Sequence, residues 1–457
     1  MAVLVMKFGA EALAEPGRIL ASASIAAKAA DRGDAVLLVS TALPGVAEAL
    51  FSAASAAERA DLSVAKRVCS ELGSKHKAAA RAISPGGCAE TEAEIDSIVA
   101  ALDSRFQGVR LLGELSDRTM DEILAAGERL SSLLVGLAAS APCLDARTLI
   151  RTDSRFGRAR ADLPSTSRLV QERLSPILTP GSLIVSQGNL GSDSLGSTTS
   201  LGKGGADYSA SLFGAALGAR EILIWAGDEG IYTSDPELVP EAGTVEMLSF
   251  GEAAELVAYG AKTLHPATIR PALEARIPVT VRSALKPEGG YTTISPSESS
   301  GKAVAALAMR KRVAVITLRQ ELMTDQPGFL ARIFAAFGRL GISVDLVSTS
   351  EVCVSVSLDM ASPLERAAAE LAELGKVEIA RDRAVLALVG SRLKESPEIY
   401  ALAFEALRGI GIDMLSMGAE GINLSIVVAE GDADSAMRRL HRAFFGPAAG
   451  SAGGASP

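Results

Sequence analysis

Short, unbroken apolar runs alternate with Ala- and Leu-rich stretches over the first two-thirds of the chain. The runs at 2–6, 35–39, 183–186, 221–225 and 278–282 are mostly rich in β-branched residues and lack polar alternation. That pattern predicts strands buried on both faces of a parallel sheet. Gly9 follows the first run, and a Gly/Ser cluster at 188–200 follows the third. In open α/β sheets the ligand crevice lies beyond the carboxyl ends of the strands. Residues 1–295 are therefore expected to form one α/β ligand-binding domain. The less apolar stretch 62–100 reads as a helical excursion.

Residues 295–302 are polar and read as a linker. Beyond them the chain repeats itself: 329–358 and 399–428 share a pattern at an offset of 70, from Phe334 to Phe404. Leu340 matches Ile410, Gly341 matches Gly411, and Val354, Val356 and Leu358 match Leu424, Ile426 and Val428. Each copy reads strand, helix, strand, strand. Gly341 and Gly411 stand where a helix ends, the usual place for a left-handed cap. Residues 447–457 cannot bury a core and are expected to be a disordered tail.

Composition narrows the function. The 457 residues suggest about three domains, and 48% hydrophobic with 22% charged residues is a globular balance. A net charge of −9 argues against nucleic acid as a partner, since that binding needs clustered positive charge. The four cysteines form no CxxC pair and only three histidines occur, so no metal site or disulfide framework is expected. The N-terminal apolar run is too short for a signal segment, and no stretch reaches a membrane span. A cytoplasmic protein without membrane contact is the expectation.

Four motifs could carry chemistry. Lys7-Phe8-Gly9 puts an ammonium at a strand end, either solvated at a turn or aimed at a phosphate. Gly202-Lys203-Gly204-Gly205-Ala206-Asp207 is a glycine-rich turn opening a helix, whose unpaired N–H groups and positive dipole end suit an anion. Asp207 could cap or orient that turn. The Walker A pattern is absent. In the segments 230–236 and 260–266, Tyr232 offers a flat ring for a base or ribose and Lys262 a second charge for a phosphate, while His265 beside a proline reads as structural. Glu128, read as the start of an apolar helix, is either a cap or a partner for a substrate ammonium.

Taken together and in this order, these motifs, with the segment 151–158 and Ser343-Val344-Asp345-Leu346, resemble the lysine-sensitive monofunctional aspartokinases of the amino acid kinase family. The resemblance implies an open α/β sheet sandwiched by helices, followed by two α+β ACT domains of ferredoxin-like βαββαβ topology. The division it implies is a kinase domain at 1–295, a linker and first regulatory strand at 296–310, ACT domains at 311–378 and 379–446, and the tail. The implied reaction is phosphoryl transfer from ATP, with Mg²⁺, to the β-carboxylate of L-aspartate. That gives 4-phospho-L-aspartate at the first step of lysine, threonine and methionine biosynthesis. Lys7 and Asp207 would be catalytic. Glu128, Lys203, Gly204 and Ala47 would hold the substrate. Lys7, Gly9, Ala10, Ala226, Gly227, Tyr232, Glu237, Lys262 and Thr263 would hold the nucleotide, Gly9 and the 202–205 turn supplying backbone donors. No metal ligand is assigned to a side chain.

Several positions depart from the family pattern. Ala10, Glu11 and Ala12 stand where the family has Gly-Thr-Ser, and Ala47 where it has a substrate threonine. Ala226-Gly227 replaces Thr-Asp, Glu237 an arginine, and Lys203 an arginine whose bidentate fork suits a carboxylate. These departures keep two alternatives open: a catalytically impaired lysine-sensing homologue, or a kinase for another carboxylate. The regulatory half keeps the family's lysine positions, Met323, Gly328, Phe329, Leu330, Ser343, Val344, Asp345, Ser350 and Glu351. Inhibition by L-lysine and a homodimer or homotetramer built through the ACT domains are implied.

Overall fold

A computed structural model describes residues 2–260, 266–295, 298–320, 327–418 and 420–446. The chain divides into two units, Met1–Ile231 with Thr263–Ser297 and Tyr232–Lys262 with Glu298–Pro457.

The first unit opens with β1 (Val3–Phe8), a 3₁₀ turn at Ala10–Leu13, α1 (Pro16–Asp31) and β2 (Ala35–Ser40). Four helices follow without an intervening strand: α2 (Val46–Glu58), α3 (Leu62–Ile83), α4 (Ala89–Leu112) and α5 (Asp117–Ala139). The expected helical excursion is thus the pair α3–α4. Asp61 starts α3 by accepting from the Ser63 N–H, and Gly113 ends α4 at φ 64°. The chain continues through β3 (Cys143–Leu144), α6 (Leu163–Arg173), β4 (Leu183–Gln187), the hairpin of β5 (Leu190–Ser192) and β6 (Thr198–Ser200), α7 (Gly205–Leu217) and β7 (Glu221–Ala226). A segment of the second unit carries β8 (Met247–Ser249) and α8 (Phe250–Ala258). The first unit then closes with α9 (Pro266–Glu274), β9 (Val279–Ser283) and β10 (Tyr291–Ser295).

Its strands run in the order β3-β4-β2-β1-β7-β9-β10, parallel except for β10. Each expected strand is present within one or two residues. Leu4, Met6 and Phe8 join Val36 and Leu38 in a core with α1–α5, while Val5, Leu37 and Val39 on the opposite face are equally buried. Burial of both faces explains the unbroken apolar runs. Each such side chain contributes about 1.5–3 kcal/mol.

The second unit continues with β11 (Ala306–Arg319), α10 (Phe329–Arg339), β12 (Leu346–Thr349), β13 (Cys353–Asp359), α11 (Leu364–Leu371), β14 (Lys376–Val389), α12 (Pro397–Ala406), β15 (Ile412–Met417), β16 (Asn423–Ala429) and α13 (Glu430–Phe445). One six-stranded sheet runs β12-β13-β11-β14-β16-β15. Its two central strands are each 14 residues long and serve both repeats. Val313–Arg319 pairs with β13 and the start of β14, whereas Ala306–Arg310 pairs with the end of β14, which in turn pairs with β16. The repeat extends to the irregularities: Arg312 and Asp382, equivalent at the offset of 70, both take left-handed φ (60° and 54°).

Two expectations need correction. Gly341 takes φ 65°, but in the second copy Gly409 (φ 83°), not Gly411, makes the left-handed turn, because α12 ends at Ala406. The polar linker is also fastened. The Ser300 N–H and Oγ donate to the fully buried Glu252 (3.2 and 2.5 Å), which also accepts the Ser249 N–H in a capping box at the start of α8. Among the described residues no helix is long and apolar enough to cross a membrane. The segment 447–457 lies outside the described residues.

Candidate active site

Lys7 occupies the carboxyl end of β1, where the strand emerges from its two parallel neighbours β2 and β7. Its Nζ lies 2.7 Å from Oδ1 of Asp207 in the first turn of α7, and both side chains are largely buried. Asp207 caps nothing: Gly204 is the N-cap, in the left-handed conformation (φ 72°), with no side-chain cap bond. The carboxylate holds the lysine instead. The first N–H groups of α7 carry the partial positive charge of a helix terminus, so a cation and an anion-binding helix end meet at the carboxyl edge of the sheet. Phe8 and Trp225 stack (centroids 5.8 Å apart, planes 4° apart) and tie β1 to β7 beneath the site.

Glu128 does not start a helix. It lies in the interior of α5 and is buried. Its neighbour Gly127 is the reason it reaches the sheet edge: a Cβ there would come within 2.9 Å of Val46 Cγ1 and 3.4 Å of Ala42 Cβ, so α5 can approach α2 and the loop before it. At that distance the Ala42 N–H donates to Glu128 Oε2 (2.8 Å). Burial pushes the Glu128 carboxyl up to about 8. The Ala42 N–H, the Asn189 side chain and the Lys7 charge pull it back only in part.

Asn189 belongs to none of the sequence motifs. It sits just past β4 at φ 63°, and its side chain acts on Glu128. The one signal was its place among glycines (Gly188, Gly191) at a strand end, which reads equally well as an ordinary turn. Asp121 was missed too. Fully buried in α5, it accepts from the Gly157 and Ser200 N–H groups (both 2.9 Å) and the Ser200 Oγ (2.5 Å). It thereby braces the segment 151–158 and β6 beside the glycine turn.

The remaining first-unit residues divide. Gly9 is not a free donor: its N–H is taken by the Trp225 carbonyl (2.9 Å), so it provides close approach rather than a phosphate contact. Ala10 opens the 3₁₀ turn, Lys203 is exposed in the glycine turn, and Ala47 is exposed in the first turn of α2. Ala226 ends β7 and Gly227 follows it, the Gly227 carbonyl accepting from Ser283 Oγ (2.9 Å). The Glu11 carboxylate covers the Gly227 α-carbon so closely that a Cβ at 227 would fall 1.6 Å from Oε2. Glu11 thus occupies the side-chain space of residue 227.

Tyr232 and Glu237 belong to the second unit. Half-buried Tyr232 forms a β-bridge with Thr244, and exposed Glu237 donates its N–H to Asp235 Oδ1 (3.0 Å). The next residue, Thr233, accepts the Leu307 N–H of β11 through its carbonyl (2.8 Å). Its Oγ1 bonds His441 Nε2 (3.0 Å), a buried histidine of α13 whose proton affinity burial lowers. Lys262, Thr263, His265 and Met323 lie outside the described residues.

In the second unit, Gly328 caps α10 at φ 82°, Phe329 is buried, and Leu330 is exposed. Val344 packs at the edge of the first repeat's core. A cavity of 470 Å³ is lined by Arg310, Ile342, Ser343, Asp345, Asp359 and Ser362 among others. Asp345, expected to await a ligand ammonium, is ion-paired with Arg310. Exposed Ser350 bonds Cys353, Glu351 is exposed beside it, and neither lines that cavity.

The amino acid kinase family model matches residues 2–283, and ACT domain models match 316–376 and 386–444. The chain belongs to the amino acid kinase family. Within it, the chain is 37% identical over 338 residues to lysine-sensitive aspartokinase 3 of Escherichia coli, covering 71% of this chain and 75% of that one. It is 33% identical over 381 residues to the chloroplastic aspartokinase 2 of Arabidopsis thaliana, covering 77% and 68%. Among solved structures, E. coli aspartokinase III in complex with aspartate and ADP superposes with a TM-score of 0.82 at 32% identity, over 97% of this chain and 100% of that one. The same enzyme with lysine and aspartate gives 0.77 at 33%, over 97% and 99%.

Proposed function

We propose that this chain is an aspartate kinase, transferring the γ-phosphoryl group of ATP to the β-carboxylate of L-aspartate. The observation that carries the reading is the Lys7–Asp207 pair at the N-terminus of α7, beside buried Glu128. A carboxylate nucleophile needs no base. Its oxygen attacks phosphorus, the bond to the β-phosphate bridging oxygen breaks, and ADP leaves. The protein's part is positioning and charge neutralisation. Lys7, oriented by Asp207, meets the charge on the transferring phosphoryl group, and the first N–H groups of α7 add a fixed dipole. Glu128 receives the substrate ammonium and Lys203 its α-carboxylate as a point charge. Tyr232, with Lys262 and Thr263, is assigned to the nucleotide.

Among the described residues no cluster of three or more His, Cys, Asp or Glu is arranged to hold a metal. A Mg²⁺ carried in on the phosphates would need few protein ligands, Glu11 being the acidic side chain at the Gly227 edge. Such an ion would draw charge from the phosphates and screen Glu11.

The ACT sheet is assigned to regulation by L-lysine, and the chain to a homodimer or homotetramer acting in the cytoplasm. Supporting assembly, the repeat-equivalent Phe334 and Phe404 are both exposed (39% and 42%), as are Val347, Leu415 and Met417 on the edge strands. The reading is tested with the purified full chain. ADP release must require L-aspartate, hydroxylamine must trap an acyl phosphate, and lysine must slow both. No aspartate-dependent ADP with Mg²⁺ or Mn²⁺ rejects it.

A further inference from the structure

Thr233 is bonded at both of its backbone groups and through its side chain. Its N–H donates to the Gly243 carbonyl (2.8 Å), and its own carbonyl accepts the Leu307 N–H of β11 (2.8 Å). Its Oγ1 accepts the Gly243 N–H (3.2 Å) and lies 3.0 Å from Nε2 of His441 in α13, 208 residues further along the chain. With Tyr232 bridged to Thr244, residues 232–233 and 243–244 make a short antiparallel pair. Farther along the same segment, Val239 is fully buried in the core of the second repeat, together with Met437 and Leu440 of α13. The segment that carries Tyr232 is therefore held by the second repeat at two points, one polar and one apolar.

The polar point is the informative one. His441 is 2% exposed, and its ring packs against Phe445 (centroids 4.9 Å apart). Its Nδ1 is buried without a hydrogen-bond partner. An unmet buried polar atom is costly, and an apolar side chain in the same place would avoid that cost. What the imidazole adds is the bond to Thr233. A hydroxyl has one proton and two lone pairs. One lone pair of Thr233 Oγ1 takes the Gly243 N–H, so its proton is available to Nε2 when the ring is neutral. The bond then runs directly from α13 to the residue after Tyr232.

We propose that His441 is a positioning residue for the nucleotide: through Thr233 it fixes the backbone that presents Tyr232. The assignment rests on the aspartate kinase reading, in which Tyr232 holds ATP. His441 touches neither substrate. Its effect passes through the placement of the tyrosine ring, so it bears on ATP and not on L-aspartate.

His441→Leu fills the place without the bond, and Thr233→Val removes the hydroxyl at nearly the same shape. His441→Gln and Thr233→Ser each keep a group that can make the bond. Kinetic constants for ATP and L-aspartate are measured on the full chain, with ADP binding by calorimetry. Loss of one hydrogen bond predicts about a three- to tenfold rise in KM for ATP and Kd for ADP in His441→Leu and in Thr233→Val. KM for L-aspartate and kcat stay within about twofold, and the double variant is no worse than its worse parent, because both changes remove the same bond. The Gln and Ser variants return toward wild-type values for ATP. With Tyr232→Ala present, His441→Leu has no further effect.

Unchanged Kd for ADP in His441→Leu and Thr233→Val, their folds checked by melting curves, overturns the assignment. Where one of the two does not fold, the other decides. A rise in KM for both substrates together also overturns it, as does a full His441→Leu effect in the absence of the Tyr232 ring. A wild-type chain that binds ADP but turns over no ATP in response to aspartate overturns the kinase reading alone, and Kd for ADP then decides His441. If it binds no ADP, both fall.

Discussion

Lys7 Nζ and Asp207 Oδ1 lie 2.7 Å apart, one at the end of the first strand and the other in the first turn of α7. The carboxylate of Asp207 thus fixes the direction of the Lys7 ammonium at the strand end.

Lys7→Ala is expected to lower kcat by a factor of about 10² or more, as removal of a preorganised charge at the reacting group does. It also leaves Asp207 without its counter-charge in a largely buried place, which predicts a lower melting temperature. An unaltered kcat in a well-folded variant removes Lys7 from the reaction.

Glu128 gives the pH dependence. Its carboxyl titrates near 8 in the fold and near its ordinary value of 4.5 when unfolded. Between those values the folded chain holds a proton the unfolded chain has lost, so stability falls as pH rises through this window, the loss being complete above about 8. The effect is on the order of a few kcal/mol. Glu128→Gln flattens it, seen as a smaller fall in melting temperature from pH 6 to pH 9. Because an ammonium pairs with the ionised form, KM for aspartate in the wild type falls as pH rises toward 8. A KM that is flat with pH contradicts the assignment.

Glu11 and Gly227 share one space, so their substitutions should not add. Gly227→Asp alone displaces Glu11 and crowds two carboxylates, raising KM for ATP. Glu11→Thr alone lowers that KM by removing a charge from the phosphate edge. The double variant departs from the sum by about 1 kcal/mol or more. Additive effects on KM for ATP would mean that the two side chains do not meet.

His441 predicts an opposite pH trend in the second unit. Burial holds it neutral, so the stability it contributes is present above its ordinary value of 6.5 and lost as pH falls below that. His441→Gln should lose less melting temperature than wild type between pH 7 and pH 5. An equal loss assigns the acid sensitivity elsewhere.

Much of this was legible because the signals were local. Unbroken apolar runs mark strands covered on both faces, and the 70-residue offset marks two copies of one unit. Lys7 and Asp207 each stood beside a glycine turn at a predicted element boundary. What escaped depended on contacts between distant positions. The helix around Glu128 begins at Asp117, and only the close packing allowed by Gly127 makes its interior part of a site. Asn189 looks like any turn asparagine until Glu128 and Gly205 are brought beside it. Arg310 and Asp345 are separated by a whole helix, and nothing in either segment announces their pairing. In Arg408-Gly409-Ile410-Gly411 two glycines compete for one cap, and the exact end of α12 decides between them.

The long strands β11 and β14 have a further consequence. Two repeats that share their central strands cannot tilt independently, so a small molecule settling against either copy leans on the whole sheet. The carbonyl of Thr233 is bonded to β11, and Tyr232 precedes it in the chain. Tyr232, the ring assigned to the nucleotide, is thus anchored beside the six-stranded sheet itself.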